Sequence, residues 1–405
     1  MIPSPKILYV SYGGGHISMI LPVVRAMRQI APDSEQIVMA LTIGAAAARS
    51  AGERPVGFAD FLHLRDVEAV TKCGLELLPE NAGGSVSEAE SIAYLGVNFL
   101  ELETRLGREA AFHEYRSKGR AAFEPVDFIA DIIRDVGADI VVTTNSPRAE
   151  RASWKAARRL GIPSLAMNDL LARQAKTFVG QGDWPDRICV LSDNVAEYLR
   201  REGAPHVAVT GNPAFDSMAS REVLEAAEAF LEARGWESKR PVLFSGDIDF
   251  SKTGEERFWL LRRISEVLEN FVEENPDNPL IFRYHPSRWR EVPRPRAHPR
   301  IYFADPEKER PHPQIQASAA AIVQLSTIGL EASIADKPVI SLENLEGYPP
   351  GVSWEAEGVS VACRDLEALP GMIRQALAGN LTTPRPFATD GQAAFRVGEQ
   401  IRALF

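Results

Sequence analysis

The sequence predicts an α/β protein of two domains, each a parallel sheet covered by helices, and three observations carry that prediction. Short apolar runs alternate with helical stretches along most of the chain, the βαβ rhythm of a buried parallel sheet. Several of these runs stop abruptly in clusters of Gly, Ser, Asn or His, where open parallel sheets present their ligand loops. The chain has 405 residues, too many for one ordinary core. It suits two domains of about 150 to 200 residues each.

Composition narrows the class. An apolar fraction of 45% and a charged fraction of 25% are those of a globular protein. A net charge of −10 argues against broad nucleic-acid binding, although local basic sites stay open. Cys73, Cys189 and Cys363 are odd in number, far apart and without CxxC spacing, so neither a disulfide framework nor a zinc site is indicated and a reducing cytoplasm is expected. The N-terminus lacks the pattern of a secretory leader, and no apolar stretch reaches the roughly 18 residues of a membrane span. Peripheral contact with a membrane stays open.

The first element is the run Ile7 to Val10, a buried strand, followed by Gly13, Gly14 and Gly15 and then a helix. A helix that opens on a glycine turn presents unpaired N–H groups and the positive end of its dipole, which suits an anion or a diphosphate. GGGH matches neither the GxGxxG fingerprint nor the P-loop, so the turn proposes a ligand cleft without naming the ligand. His16 stands at its mouth. A second strand is expected over 36–43, and GAAAARSAG continues it as a helix. Residues 88–120 read as one charged helical segment with Ile92, Leu95, Phe99, Leu102 and Leu106 on one face, packed on the sheet. A helix over 128–136, a strand over 138–144, a helix over 149–160 and a strand over 162–168 follow. Asn145, Ser146, Asn168 and Asp169 end those two strands, where a site or an ordinary polar loop would both place them.

Further strands are expected near 187–192 and 206–210, with a helix over 194–201 between them. Gly211-Asn212-Pro213 is a strong turn signal, and the domain boundary falls just after it. The second domain then repeats the opening pattern: a helix over 221–234, then a strand from Pro241 that ends at Ser245-Gly246-Asp247. A helix over 253–270 and a strand over 280–284 lead directly to His285-Pro286-Ser287. RWREVPRPRAHPR reads as an irregular loop, either solvated or gripping phosphate. A helix over 315–320 and a strand over 321–325 lead to Ser326-Thr327-Ile328-Gly329-Leu330-Glu331, hydroxyls opening a helix with a carboxylate in its first turns. A strand over 337–342, a helix over 366–378, a Pro-rich loop and a last helix over 392–404 complete the reading.

His285 and Glu331 should reach the same carboxyl edge. A nucleotide sugar needs donors for its diphosphate and acceptors for its ribose hydroxyls. Ser326, Thr327 and nearby backbone N–H groups can supply the donors, Glu331 can accept from the ribose, and His285 can donate to phosphate or sugar. Separately, Glu331 could merely favour the helix dipole, and His285 could bond a neighbouring backbone group. His16 could remove a proton from an acceptor hydroxyl with Asp169 or Asn145 as orienter, or could donate a hydrogen bond to phosphate. The other histidines show no HxxxH or HExxH spacing. Asp247-Ile248-Asp249 either caps a turn or binds Mg²⁺.

GGGHISMILPV resembles the first loop of GT-B nucleotide-sugar glycosyltransferases, especially the N-acetylglucosaminyl transferase of peptidoglycan synthesis and its diacylglycerol glucosyltransferase relatives. VTGNPAFD resembles the inter-domain junction of lipid A disaccharide synthase and of UDP-N-acetylglucosamine 2-epimerases. RYHPS and STIGLEASIADKPVISLEN resemble the donor site of that wider superfamily. The resemblance implies two facing Rossmann-like domains with a cleft between them, 1–213 on the acceptor side and 214–385 on the nucleotide-sugar side, and a C-terminal helix, 386–405, returning to the first domain. It implies a metal-independent glycosyltransferase that needs no cofactor and uses a nucleotide sugar, favoured as UDP-linked, to modify a hydroxyl-bearing acceptor. Gly14, Gly15, Ser245, Gly246, His285, Ser326, Thr327 and Glu331 would bind the donor, and His16 and Asp169 would act at the reacting sugar. Alternatives are a UDP-sugar 2-epimerase or hydrolase, a CMP-sugar transferase of the sialyl or Kdo type, and a non-catalytic sugar-nucleotide binder. The epimerases carry His-x-Glu-Ala-Gly-Leu-Arg after a central strand, whereas this chain reads Leu165-Ala166-Met167-Asn168-Asp169-Leu170-Leu171.

Overall fold

Two parallel sheets of six strands each organise the chain. The computed structural model describes residues 4–81, 86–171, 178, 180, 183–248, 252–286, 288–324, 326–345, 353–385, 387–388 and 390–405. Its contacts divide it into one unit of Met1–Ala214 with Gln392–Phe405 and a second of Phe215–Gly391.

In the first unit the strands are β1 (Lys6–Tyr12), β2 (Glu35–Leu41), β3 (Ile140–Thr143), β4 (Ser164–Met167), β5 (Arg187–Val190) and β6 (Val207–Val209), in the order β2-β1-β3-β4-β5-β6. All pairs are parallel, with Ile7 opposite Gln36 on one side and Ile140 on the other. The run in β1 is uniformly apolar because both faces are buried. Leu8 and Val10 enter the core beneath the helices Val67–Leu77, Glu88–Leu106 and Val126–Val136, while Ile7 and Tyr9 enter the opposite core beneath Gly14–Ile30 and Ala393–Arg402.

The segment expected as one helix over 88–120 is two, Glu88–Leu106 and Arg108–Lys118, because Gly107 takes φ 81 and ends the first. The helix Glu88–Leu106 crosses Val67–Leu77 at very close range. A Cβ on Gly74 would lie 2.2 Å from the Ile92 carbonyl oxygen, and one on Gly96 2.1 Å from that of Val70. The last helix packs on Gly14–Ile30 through Val397 and Ile401, and Gly398 admits the Ile30 side chain. Arg396 donates to the Thr210 carbonyl at 2.7 Å, and Arg187 to that of Gln400 at 3.1 Å.

The second unit contains β7 (Val242–Gly246), β8 (Leu280–Tyr284), β9 (Ile301–Phe303), β10 (Ala320–Val323), β11 (Val339–Leu342) and β12 (Val361–Cys363), in the order β12-β11-β10-β7-β8-β9, again all parallel. The short strands β9 and β12 carry only three residues each and were not anticipated. The helix expected over 315–320 runs from Pro311 to Ala317, because a proline suits the first helical turn, where its missing N–H costs nothing. In both sheets the strand order reverses beside a central strand, β1 or β7, and such a switch point leaves a crevice at the carboxyl edge.

Candidate functional site

At the switch point of the first sheet, loops after β1, β3 and β4 converge. Gly13 caps the helix Gly14–Ile30 with φ 97, so the glycine that the turn requires is Gly13 rather than Gly14 or Gly15. Gly14 packs near Ile43, and Gly15 is exposed with open space where a side chain would stand. One turn into the helix, His16 directs its imidazole toward the end of β3. There the fully buried Glu150, in the first turn of the helix Ala149–Leu160, accepts from Tyr12 N at 2.6 Å, Ser146 N at 2.5 Å and Thr144 Oγ1 at 2.6 Å. His16 Nδ1 lies 3.1 Å from Glu150 Oε1 and 2.7 Å from Thr144 Oγ1. With the Thr144 hydroxyl donating to Glu150, its oxygen is left to accept from the ring, so Nδ1 carries a proton.

On the other side of the ring, Nε2 stands 3.8 Å from Asp169 Oδ2. That distance acts through charge rather than a short hydrogen bond. Burial works against the imidazolium, but the two flanking carboxylates, Asp169 and Glu150, outweigh it and push the His16 pKa up to about 10. Asp169 shifts the opposite way: burial opposes its charge, and His16 together with the Asn145 amide more than restores it. Asn145 Nδ2 donates to Asp169 Oδ1 at 2.9 Å and to Asn168 Oδ1 at 3.1 Å, Leu170 N donates to Asp169 Oδ1 at 3.0 Å, and Asn212 donates to the Asp169 carbonyl. His16, Asn145, Asn168 and Asp169 are thus brought together. Glu150 and Thr144 were missed by sequence reasoning. The signal was a carboxylate six residues past a strand-end threonine, easily read as ordinary helix-start acidity.

In the second sheet, β10, β7 and β8 are neighbours, and their carboxyl ends enclose a cavity of about 660 Å³. Ser245, Gly246, His285, Ser326, Thr327 and Glu331 all line it. Ser245 Oγ donates to Ser326 Oγ at 2.9 Å, and Ser326 Oγ accepts from Ile328 N at 3.3 Å, so Ser326 rather than Thr327 secures the start of the helix Ile328–Ile334. Gly246 allows a close approach, since a Cβ there would lie 2.6 Å from the Phe244 ring and 2.7 Å from Gln324 Oε1. Glu331 Oε1 is 3.5 Å from Thr327 Oγ1. Its Oε2 is buried and makes no hydrogen bond, although His312 Nε2 stands at ion-pair distance, 3.4 Å. His285 is exposed at the rim. Arg283, Lys308 and Arg310 also line the cavity, and Arg283 is itself held by Gln314 Oε1 at 2.9 Å and the Glu309 carbonyl at 2.8 Å.

Most arginines of the loop after β8 are paired with carboxylates elsewhere in the second unit. Arg288 forms a bidentate pair with Asp247, Arg290 pairs with Glu307, Arg296 and Arg300 with Glu273, and Arg294 stacks 5.2 Å above Phe303. Asp247 also accepts from Ile248 N at 2.9 Å, which is a turn; Asp249 and Ser287 lie outside the described residues. Among the described residues no group of three or more His, Cys, Asp or Glu side chains is arranged to hold a metal ion.

The sequence matches no family model and no curated protein sequence. By structure it is similar to UDP-GlcNAc 2-epimerase from Methanocaldococcus jannaschii, with 13% identity and a TM-score of 0.62 over 98% of this chain and 99% of that one. It is similar to UDP-GlcNAc 2-epimerase from Neisseria meningitidis bound to UDP-GlcNAc, with 14% identity and a TM-score of 0.58 over 98% and 100% of the two chains. It is also similar to the wall teichoic acid polymerase TagF, with 11% identity and a TM-score of 0.52 over 99% and 89%. The fold is therefore GT-B, built from two Rossmann-like domains.

Proposed function

We propose that the chain is a metal-independent glycosyltransferase that takes a sugar from a nucleotide-activated donor, UDP-linked, and delivers it to a hydroxyl acceptor. The observation that carries this reading is the cavity beside β7. It gathers two serines, a threonine and a rim histidine that can donate to a diphosphate. It also holds a buried carboxylate oxygen without a hydrogen bond, suited to a ribose hydroxyl. Lys308 and Arg310 add positive charge where phosphates would lie. In the first unit, a histidine charged at neutral pH is a poor proton acceptor and a good donor. His16 therefore acts as a cationic hydrogen-bond donor to sugar or phosphate, with Glu150 and Asp169 flanking it and Asn145, which holds Asp169, contacting the acceptor.

A second reading, UDP-N-acetylhexosamine 2-epimerisation, draws on the likeness to the two epimerases, one of them bound to UDP-GlcNAc. Against it stands Asn168-Asp169-Leu170-Leu171 where the epimerase segment would carry His-x-Glu-Ala-Gly-Leu-Arg. The three cysteines are buried and unpaired, which fits a reducing cytoplasm. No helix among the described residues is long and apolar enough to cross a membrane. Two measurements test the reading. UDP, but not CMP, GDP or dTDP, should raise the melting temperature. UDP-GlcNAc incubated with the protein alone should come back unchanged; rapid conversion to its 2-epimer would replace the transferase reading with the epimerase one.

A further inference from the structure

The first unit holds a second cavity, of about 540 Å³, at the carboxyl end of β2 and one strand outward from the His16 turn. Its size is that of a small-molecule site. The alanines 40, 45, 46 and 59 keep its walls small and apolar. Between them stand five polar side chains: Thr42, Arg49, Asp60, Ser87 and Glu90.

Two features suggest that this hollow is built rather than incidental. Thr42 takes φ 56, in the left-handed region that β-branched residues avoid, and such strain is held in place where it positions a loop for function. The same loop is tied to the glycine turn, as Gly13 N donates to the Leu41 carbonyl at 3.4 Å. Secondly, the carboxylates are fixed before any ligand arrives. Asp60 accepts from Gly57 N at 2.7 Å, and Glu90 accepts from Phe58 N and Ala59 N, each at 2.9 Å. Each retains lone pairs. Arg49 is exposed, and among the described residues no carboxylate reaches ion-pair distance of it.

The charge balance selects the ligand. Two carboxylates against one guanidinium disfavour a phosphate or a carboxylate, and a wholly apolar body would leave the lining unpaired. Hydroxyl groups can donate to Asp60 and Glu90 and accept from Arg49, while the C–H face of a sugar ring meets the alanine methyls. We propose that the β2 cavity binds a neutral, hydroxyl-rich ligand, a sugar or polyol; that this ligand is the acceptor rests on the transferase reading, but its binding does not.

The test is a titration of the full chain, labelled with ¹³C at alanine methyls, with cellobiose, chitobiose and sorbitol, and with glucose 6-phosphate as the anionic counterpart. Saturable shifts are expected at the methyls of Ala40, Ala45, Ala46 and Ala59 from at least one neutral probe, with glucose 6-phosphate about tenfold weaker. Arg49→Met should weaken the neutral probe by about tenfold. Ala46→Trp, at an exposed helix position, should fill the cavity and abolish the shifts. No saturable shift from any neutral probe, tighter binding of the phosphate, or full binding by Ala46→Trp overturns the proposal. UDP stabilisation of the unsubstituted chain is read in parallel. Its absence defeats the donor reading, while its presence with silent alanines defeats this one alone.

Discussion

Glu150→Gln should turn His16 from a cation at neutral pH into a histidine that titrates much nearer neutrality. The span from an ordinary 6.5 to about 10 corresponds to roughly 5 kcal/mol of preference for the imidazolium, after burial has taken its share. Two carboxylates supply it. Asp169, partly exposed and 3.8 Å from Nε2, and Glu150, fully buried and 3.1 Å from Nδ1, both raise the pKa, so deleting the Glu150 charge should remove roughly half, about 2 kcal/mol. Stability falls by a limited amount because the ring can release its proton instead of staying as an unpaired buried charge. The sign follows from a raised folded-state pKa. The stabilisation is complete below about 6.5 and is lost as pH rises through about 10. Long-range ¹H–¹⁵N correlation of the imidazoles, with His16→Asn to assign the signal, reads the protonation directly. Urea unfolding at several alkaline pH values, with the His16→Asn curve subtracted, reads the linkage. A neutral His16 ring at pH 8 in the unsubstituted protein, or an unchanged titration in Glu150→Gln, would refute the assignment of His16 as a charged donor.

Glu331→Gln should weaken UDP binding by roughly tenfold in calorimetry, since an amide keeps one acceptor but places a donor against the ribose. Gly246→Ala should cost about 1 to 3 kcal/mol in urea unfolding, because its methyl meets Phe244, Gln324 and Leu261 at 3.0 Å or less. Gly96→Ala should be costlier, about 3 kcal/mol or more, as the obstacle is the Val70 backbone, which cannot rotate away. An unfolding midpoint for Gly96→Ala equal to that of the unsubstituted chain would show that the two helices lie farther apart. Thr144→Val should lower the titration midpoint of His16 with little change in fold, because it deletes the hydroxyl that accepts from the ring and donates to Glu150.

The strands that matter most were legible because their surroundings leave a one-dimensional signature. A strand buried on both faces is built largely of apolar residues, and β1, β7 and β8 are apolar over 7–10, 242–244 and 280–282. The residues that follow such strands fall at one sheet edge by topology alone, which is why Ser245, His285 and Ser326 could be grouped before any coordinates. Edge strands leave a weaker signature. Three residues of β9 after an arginine-rich loop, and three of β12, carry too few alternations to stand out. Glu150 was opaque for another reason. An acidic residue in a first helical turn is commonplace, and only tertiary packing distinguishes one that is sealed under a histidine from one that faces water. The arginines after β8 were ambiguous in the same way, since their carboxylate partners come from distant stretches of the chain.

The packing of the helix Ala393–Arg402 against Gly14–Ile30 sets the order in which the molecule can be finished during synthesis. Chains leave the ribosome from the N-terminus, and compact units ordinarily close as they emerge. Here the face of Gly14–Ile30 that receives Val397 and Ile401 cannot be covered by them until the second unit has been made, by which time every strand of the second sheet is available. The element that bears His16 is therefore translated long before the helix that seals it.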